Sequence, residues 1–329
     1  MRRVCVTGGA GFIGSNLADR LRADAVEVSI VDDFRTGRRD FLAGLADDPG
    51  VTIHEGDVLD EKLLREAFEG CDWVFHLQAN ADVRYGLQRP RQDLEQNTIA
   101  TATVLEAMRA AGVSKIAFSS TGSVYGEPDM FPTPEDVAFP VQTSLYGASK
   151  LAGEGMIGAY SHGFGFTGVV FRFVSILGER YTHGHVYDFY RALKRDRTRL
   201  RVLGDGRQEK SYLYVSDCID AMLAGAASYE ARAGELGVFN LGTDETVHVD
   251  DSIAIICEHM GVTPVLEHAG GRRGWPGDSP LIALDCSRIR ALGWSPTLGI
   301  RESIRRTLRW FDAHPHVWEA DIASGSQIG

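Results

Sequence analysis

Tyr146 and Lys150 lie four residues apart in Tyr-Gly-Ala-Ser-Lys, a spacing that puts both side chains on one face of a helix. An ammonium beside a phenol favours the phenolate and lowers the tyrosine pKa from its ordinary value of about 10 towards working pH. The pair therefore reads as a general base for a hydroxyl proton. Many helices contain a Tyr and a Lys at this spacing, so its surroundings decide. It follows an apolar stretch ending in Phe118-Ser119-Ser120-Thr121. If that stretch is a strand, Thr121 stands at the C-terminal edge of a sheet, where ligands bind in open α/β folds, and can reach the same reacting hydroxyl. The alternative for Thr121 is to cap a turn.

A second chemical signal opens the chain. The run Val4-Cys5-Val6-Thr7 passes directly into Gly8-Gly9-Ala10-Gly11-Phe12-Ile13-Gly14, an apolar strand, a glycine-spaced turn and the start of a helix. Gly9, Gly11 and Gly14 satisfy GxGxxG, and Gly8, Gly11 and Gly14 satisfy GxxGxxG. Glycines allow positive φ and close approach of backbone to phosphate, while a helix beginning near Phe12 points unpaired N–H groups and its positive dipole end at an anion. The next apolar run, 26 to 31, ends in Asp32, 18 residues beyond Gly14, where an acid accepts from the adenosine ribose hydroxyls of a bound dinucleotide. After a third apolar run, Asp57 and Val58 are placed to hold the adenine edge through a carboxylate and a backbone N–H. Asp57 is equally suited to capping the helix that follows.

Positioning these groups takes alternating strands and helices. Strands are expected at 3–7, 26–31, 51–54, 73–77, 115–119 and 168–174, and helices at 12–22, 60–68, 91–111 and 145–162. Right-handed βαβ units of this kind build a doubly wound parallel sheet of Rossmann type. Beyond about residue 175 the alternation breaks down. A basic stretch, Val186 to Arg201, reads as a helix with a solvated face; 216–227 reads as a helix, and 238–241 as a strand returning to the main sheet. A helix is expected near 300–312, and residues 313–329 lack clear periodicity and read as a loosely held tail. The resulting division is a dinucleotide-binding domain at 1–175, joined by 213–243, and a smaller C-terminal lobe for substrate from 176–212 and 244–329.

At 329 residues the chain can bury a full core. Its net charge of −11 argues against a nucleic-acid partner and against an anionic membrane surface. An anionic substrate must therefore be met by local arginines and lysines. The five cysteines, Cys5, Cys71, Cys218, Cys257 and Cys286, are scattered without a CxxC and fit reduced, buried thiols in a cytoplasm. No run of apolar residues is long enough to span a bilayer, and no metal-ligand spacing occurs.

With these residues in place the chain resembles the extended short-chain dehydrogenase/reductase family, in particular its nucleotide-sugar epimerases and dehydratases. The likeness runs through Thr7–Gly14, Phe75-His76-Leu77, Asn97, Ser119 to Gly126, Tyr146 with Lys150, Gly204-Asp205-Gly206, Tyr214 to Asp217 and Asn240-Leu241-Gly242-Thr243. The resemblance implies a tightly held NAD, a homodimer and a nucleotide-sugar substrate, with a UDP-hexose favoured. It gives the catalytic roles to Tyr146, Lys150 and Thr121. NAD contacts fall on Gly8, Gly11, Phe12, Ile13, Gly14, Asp32, Asp57, Val58, Leu77, Gln78, Ala79, Asn97, Tyr146 and Lys150.

Departures from the family pattern fall on the substrate side. Ser175 stands where an asparagine usually contacts the nucleotide sugar, and Lys210 replaces an arginine expected on the diphosphate, keeping the charge but losing bidentate geometry. Trp275-Pro276-Gly277-Asp278 replaces Arg-Pro-Gly-Asp, and Arg272 or Arg273 just upstream is the candidate for the missing cation. Gln78 occupies a position commonly alanine. Family 4,6-dehydratases carry an Asp-Glu pair after the threonine, and decarboxylases a Glu two positions after it; here Gly122 and Ser123 stand there. That favours 4-epimerisation through a transient 4-keto sugar. A 5,6-dehydratase, a decarboxylase, a reductase and a non-catalytic NAD-binding sensor are the alternatives.

Overall fold

The computed structural model describes residues 1–80, 86, 88–138, 141–275 and 278–323. In its first half β1 (Arg3–Thr7), α1 (Phe12–Ala23), β2 (Glu27–Asp32), β3 (Val51–Glu55), α2 (Glu61–Phe68) and β4 (Trp73–His76) follow one another. Next come α3 (Pro90–Asp93), a π-helical turn (Leu94–Ile99), α4 (Ala100–Ala111), β5 (Lys115–Thr121), a 3₁₀ turn (Gly122–Tyr125), α5 (Leu145–Phe164) and β6 (Thr167–Phe173). The second half adds β7 (Ser175–Leu177), α6 (His185–Arg195), β8 (Arg199–Val202), β9 (Glu209–Lys210), β10 (Tyr212–Tyr214), α7 (Val215–Ser228) and β11 (Leu236–Leu241). It ends with β12 (Val247–His248), α8 (Val249–Met260), β13 (Val265–His268), α9 (Ser287–Arg290), α10 (Ile300–Ala313) and α11 (His316–Ala323).

Seven strands form one parallel sheet in the order β3-β2-β1-β4-β5-β6-β11. The direction of winding reverses at β1, which pairs β2 on one side and β4 on the other, and this switch point is where a Rossmann-type sheet opens a crevice at its strand C-termini. Successive side chains alternate between two cores: Val4 and Val6 pack with Leu17 and Leu21 of α1, while Cys5 packs with Leu64 and Phe68 of α2 and with Val104 and Met108 of α4. Burial on both faces explains why these strands are continuous apolar runs. As anticipated, residues 236–241 return to the sheet beside β6 after the excursion through 174–235.

Three local expectations need correction. The cap of α2 is Asp60, whose carboxylate accepts from Lys62 N and Leu63 N; Asp57 instead closes a tight turn by accepting from Leu59 N at 3.0 Å. The basic stretch is not one helix. α6 stops at Arg195, Arg199 and Arg201 lie on β8, and Arg191 is buried over the Tyr187 ring rather than solvated. The tail is also held in part: α11 buries Val317 and Trp318, and Trp318 packs edge-on to Tyr190 at 5.6 Å while its indole donates to Phe311 O. Periodicity missed α11 because eight residues span barely two turns.

Candidate active site

Gly8 ends β1 with φ +71°, and an added Cβ there would stand 2.8 Å from Gln78 N, so only glycine lets the β4 exit close on the β1 exit. A Cβ on Gly14 would stand 2.2 Å from Gly8 O, so α1 sits directly on the turn. The first turn of α1 carries no acidic side chain, and its N-cap, Gly11, offers no side-chain acceptor. Phe12 is buried edge-on against Tyr181 and Ile13 packs on the core, which leaves backbone N–H groups as the donors at this helix end.

Asp32 closes the turn from β2. Its Oδ2 accepts from Ala10 N and its Oδ1 from Phe34 N, both at 2.9 Å, and burial raises its pKa above the ordinary carboxylate value despite those two bonds. The arginines around it are already matched to carboxylates: Arg35 with Asp33 and Asp57, Arg38 with Asp40, and Arg39 with Glu55. Val58 is buried beyond Asp57. Across the crevice, Leu77 N donates to Thr7 O, Gln78 Nε2 donates to Gln96 Oε1, and Ala79 is half-buried between Gln78 and Asn80. Asn97, buried in the π-helical turn, accepts from Asn80 N and donates to Ser149 Oγ on α5, both at 2.8 Å.

Ser144 caps α5 by accepting from Gly147 N, so the helix starts one residue before Tyr146. Thr121 Oγ1 accepts from Ser123 N and so begins the 3₁₀ turn, which is the capping role the sequence also allowed. That turn packs on the start of α5, where a Cβ on Gly147 would meet Ser123 O at 2.6 Å. Lys150 Nζ is buried 4.4 Å from the centre of the Phe118 ring and has no hydrogen-bond partner among the described residues. Burial pushes this ammonium down to about 7, opposed by Glu154. Burial, with Asp93, pushes the Tyr146 phenol up, the opposite of the direction expected from the Tyr–Lys spacing. Desolvation and the nearby Asp93 charge both disfavour the phenolate, although Tyr146 is only half-buried.

The residues expected on the substrate side lie in the second half of the chain. Lys210 Nζ, on β9, donates to Asp278 Oδ1 at 2.7 Å and to Ser279 O at 2.6 Å. Ser279 Oγ reaches Gly126 O, and Arg273 pairs with Glu127, so the 273–279 segment is tied to the loop that follows Thr121. Asp278 also accepts from Gly274 N. Ser175 is exposed on β7 opposite Tyr212. Arg272 stands apart: it lines an open cleft of about 210 Å³ with Arg207, Gln208 and Glu209, and makes no hydrogen bond or ion pair among the described residues. Pro276 and Gly277 of the altered motif lie outside the described residues.

Sequence reasoning missed Asp93 and Asn80, which hydrogen-bond with the anticipated Asn97, and the buried Glu154–Arg172 pair. The available signal was spacing, since residue 154 follows Lys150 by another four. The glycine cradle, which a Cβ would fill, and an unpartnered buried ammonium fit a dinucleotide with its nicotinamide ribose near Lys150. No group of three or more potential metal ligands occurs among the described residues, and no described helix is long and apolar enough to cross a membrane.

Comparison with known proteins finds relatives over nearly the whole chain. A UDP-glucose 4-epimerase of Mycolicibacterium smegmatis is 34% identical over 318 residues, covering 94% of this chain and 98% of the relative. The crystal structure of a UDP-glucose 4-epimerase from Thermotoga maritima with UDP-glucose superposes with a TM-score of 0.84 at 30% identity, over 94% of this chain and 99% of that one. A dTDP-glucose 4,6-dehydratase from Streptomyces venezuelae, solved with NAD, matches as well in shape, at TM-score 0.86 and 26% identity, over 97% of this chain and 99% of that one. The model of the NAD-dependent epimerase/dehydratase family matches residues 4–242, and the chain belongs to that family.

Proposed function

We propose that this protein is an NAD-dependent 4-epimerase of nucleotide sugars, with a UDP-hexose as substrate. The observation that carries the choice of outcome is the turn after β5: it presents Thr121 and Ser123 beside the start of α5 and contains no carboxylate. Glu127, Glu135 and Glu154 in adjoining elements are engaged by Arg273, Arg288 and Arg172. The family's 4,6-dehydratases and decarboxylases carry an acid at this turn to direct elimination or loss of carboxylate.

NAD is held by the Gly8–Gly14 turn, Phe12 and Ile13 at the α1 start, Asp32, Asp57-Val58, Leu77 to Ala79, Asn97 and Lys150, and it supplies reversible two-electron oxidation at the sugar C4. Tyr146 takes the C4 hydroxyl proton and returns it after the 4-keto sugar has turned over. Lys150 holds the ribose and lends its charge to the phenol, and Thr121 hydrogen-bonds the reacting oxygen. Lys210, with Arg272 or Arg273, faces the diphosphate. Ser175 borders the same ligand, and Asp278 fixes Lys210. In this reading residues 1–175 and 213–243 carry the cofactor, and 176–212 with 244–329 close over the sugar nucleotide.

The exposed apolar residues Leu94, Ile99, Leu145 and Phe164 on the π-helical turn and α5 suit coverage by a second copy, supporting a homodimer. Five unbridged cysteines, four of them buried, suit a cytoplasmic setting. The test is incubation with UDP-sugars followed by proton NMR. The expected product is the C4 epimer, formed without added reductant and, in deuterated water, without solvent label. A product lighter by one water identifies a dehydratase, and deuterium at C3 or C5 identifies epimerisation at a neighbouring carbon.

A further inference from the structure

Residues 146, 150 and 154 recur every four positions on α5, so Tyr146, Lys150 and Glu154 share a face turned to β5 and β6. Glu154 is 6% exposed, and its carboxylate is fully committed. Arg172 of β6 grips it with Nε at 3.0 Å from Oε1 and Nη2 at 2.6 Å from Oε2, and Ser120, the neighbour of Thr121 on β5, donates to Oε1. The remaining Arg172 nitrogen donates to the Tyr125 hydroxyl at 2.8 Å and to Glu135 O at 3.0 Å, and Tyr125 in turn donates to Asn240 Oδ1 of β11.

Charge within this region is sparse. The groups facing Lys150 are His76 from β4, the Phe118 ring from β5, Glu154 from its own helix and, beyond Glu154, Arg172 from β6; Asp93 faces Tyr146 from α3. His76 is buried and held neutral, its proton affinity pushed down to about 3 by burial and by Lys150. One carboxylate thus serves two cations, one through hydrogen bonds and the other through space. Burial drives Lys150 towards its neutral form, and Glu154 opposes that.

We infer that Glu154 is a positioning residue for the reaction: one turn beyond Lys150 on the same face of α5, its carboxylate offsets the Arg172 charge beside that face and, through Ser120, holds the strand end that carries Thr121. The inference rests on the proposed chemistry for its link to turnover, whereas the effect on Lys150 is independent of substrate. Replacing Glu154 by Gln keeps a hydrogen-bond acceptor for Ser120 but leaves Arg172 uncompensated near Lys150. Removing Arg172 as well takes away both charges, so an electrostatic role and a purely structural one give opposite outcomes.

The chain has only five lysines, so selective carbon labelling and NMR can follow Lys150 directly, with Lys150→Met for assignment. In Glu154→Gln the Lys150 resonance is expected to titrate at least about one pH unit lower than in the wild type, as befits loss of a nearby opposite charge. The alkaline limb of the epimerase pH profile should move with it. Glu154→Asp and the double variant Glu154→Gln, Arg172→Met should both return the titration towards the wild-type position. If Glu154→Gln does not fold, those two variants carry the test, and a Lys150 titration in the double variant displaced as far as one unit overturns the inference. An unmoved Lys150 titration in folded Glu154→Gln also overturns it while leaving the epimerase reading intact. The expected titrations in a protein that epimerises no UDP-sugar would instead reject that reading and leave the role towards Lys150 standing.

Discussion

Lys150 and Lys210 are both largely buried near the strand C-termini, yet they are held in opposite ways. Lys150 has no hydrogen-bond partner and is pushed down to about 7, whereas Lys210 is bound to Asp278 and to a backbone carbonyl. A buried ammonium without a partner is sensitive to every neighbouring charge, and one hydrogen-bonded to a carboxylate is fixed in place. The contrast separates an ammonium left to its electrostatic surroundings from one tied by hydrogen bonds to a carboxylate and a carbonyl.

The largest effect should come from the group that Lys150 serves. Tyr146→Phe is expected to lower kcat by about 10² to 10⁴, the usual contribution of a positioned acid–base group, with bound NAD retained on ultrafiltration. Loss of only a few-fold would remove Tyr146 from the chemistry.

Next, Lys150→Met should make the cofactor-free protein more stable at neutral pH by about 1–3 kcal/mol, the penalty of a buried unsatisfied polar group, while destroying activity. The sign follows from proton linkage. The folded pKa lies below the unfolded value, so the unfolded chain binds more protons between about pH 7 and 10, and wild-type stability rises with pH across that window. Denaturant melts of Lys150→Met should lack that rise. If the variant is less stable at pH 7, the ammonium is satisfied after all and the contrast with Lys210 fails.

A smaller effect is expected at the fixed lysine. Lys210→Met combined with Asp278→Asn, which avoids stranding a buried carboxylate, should raise KM for the sugar nucleotide by about tenfold, the order of one charged hydrogen bond, with little change in kcat. A fall in kcat alone would move Lys210 from diphosphate binding to chemistry. The smallest change concerns cofactor choice. Asp32→Ser should improve NADP binding only a few-fold by titration, because Arg35, Arg38 and Arg39 are already paired with carboxylates and are not poised for a 2′-phosphate. Equal binding of NAD and NADP by the wild type would overturn that account.

The difference between these regions also governs what could be read from sequence. The glycine turn, Asp32 and the seven strands were legible because each is a local pattern: a spacing, an apolar run or a strand end. The position of Thr121 beside the Tyr146 helix followed from topology once the sheet was assumed. What was not legible depends on contacts distant in the chain. The Glu154–Arg172 pair spans two elements, and Lys210 and Asp278 lie far apart in sequence, so their pairing appears only in three dimensions. The direction of the Tyr146 shift was missed for a related reason: spacing names a neighbour but says nothing of how completely water is excluded.

The seventh strand carries a consequence for synthesis. Among the described residues β11 is the strand that pairs with the outer edge of β6, and Asn240 within it receives the Tyr125 hydroxyl and donates to Thr133 O and Asp285 O. Until residue 241 has left the ribosome, a nascent chain exposes the backbone edge of an apolar strand that includes Val169, Val170 and Phe171, a template for pairing with other chains. A fragment cut at residue 175 would keep that open edge permanently. Expressing the cofactor-binding half alone should therefore yield aggregates, and a separable version must carry β11 with it, by circular permutation or by grafting the strand directly after β6.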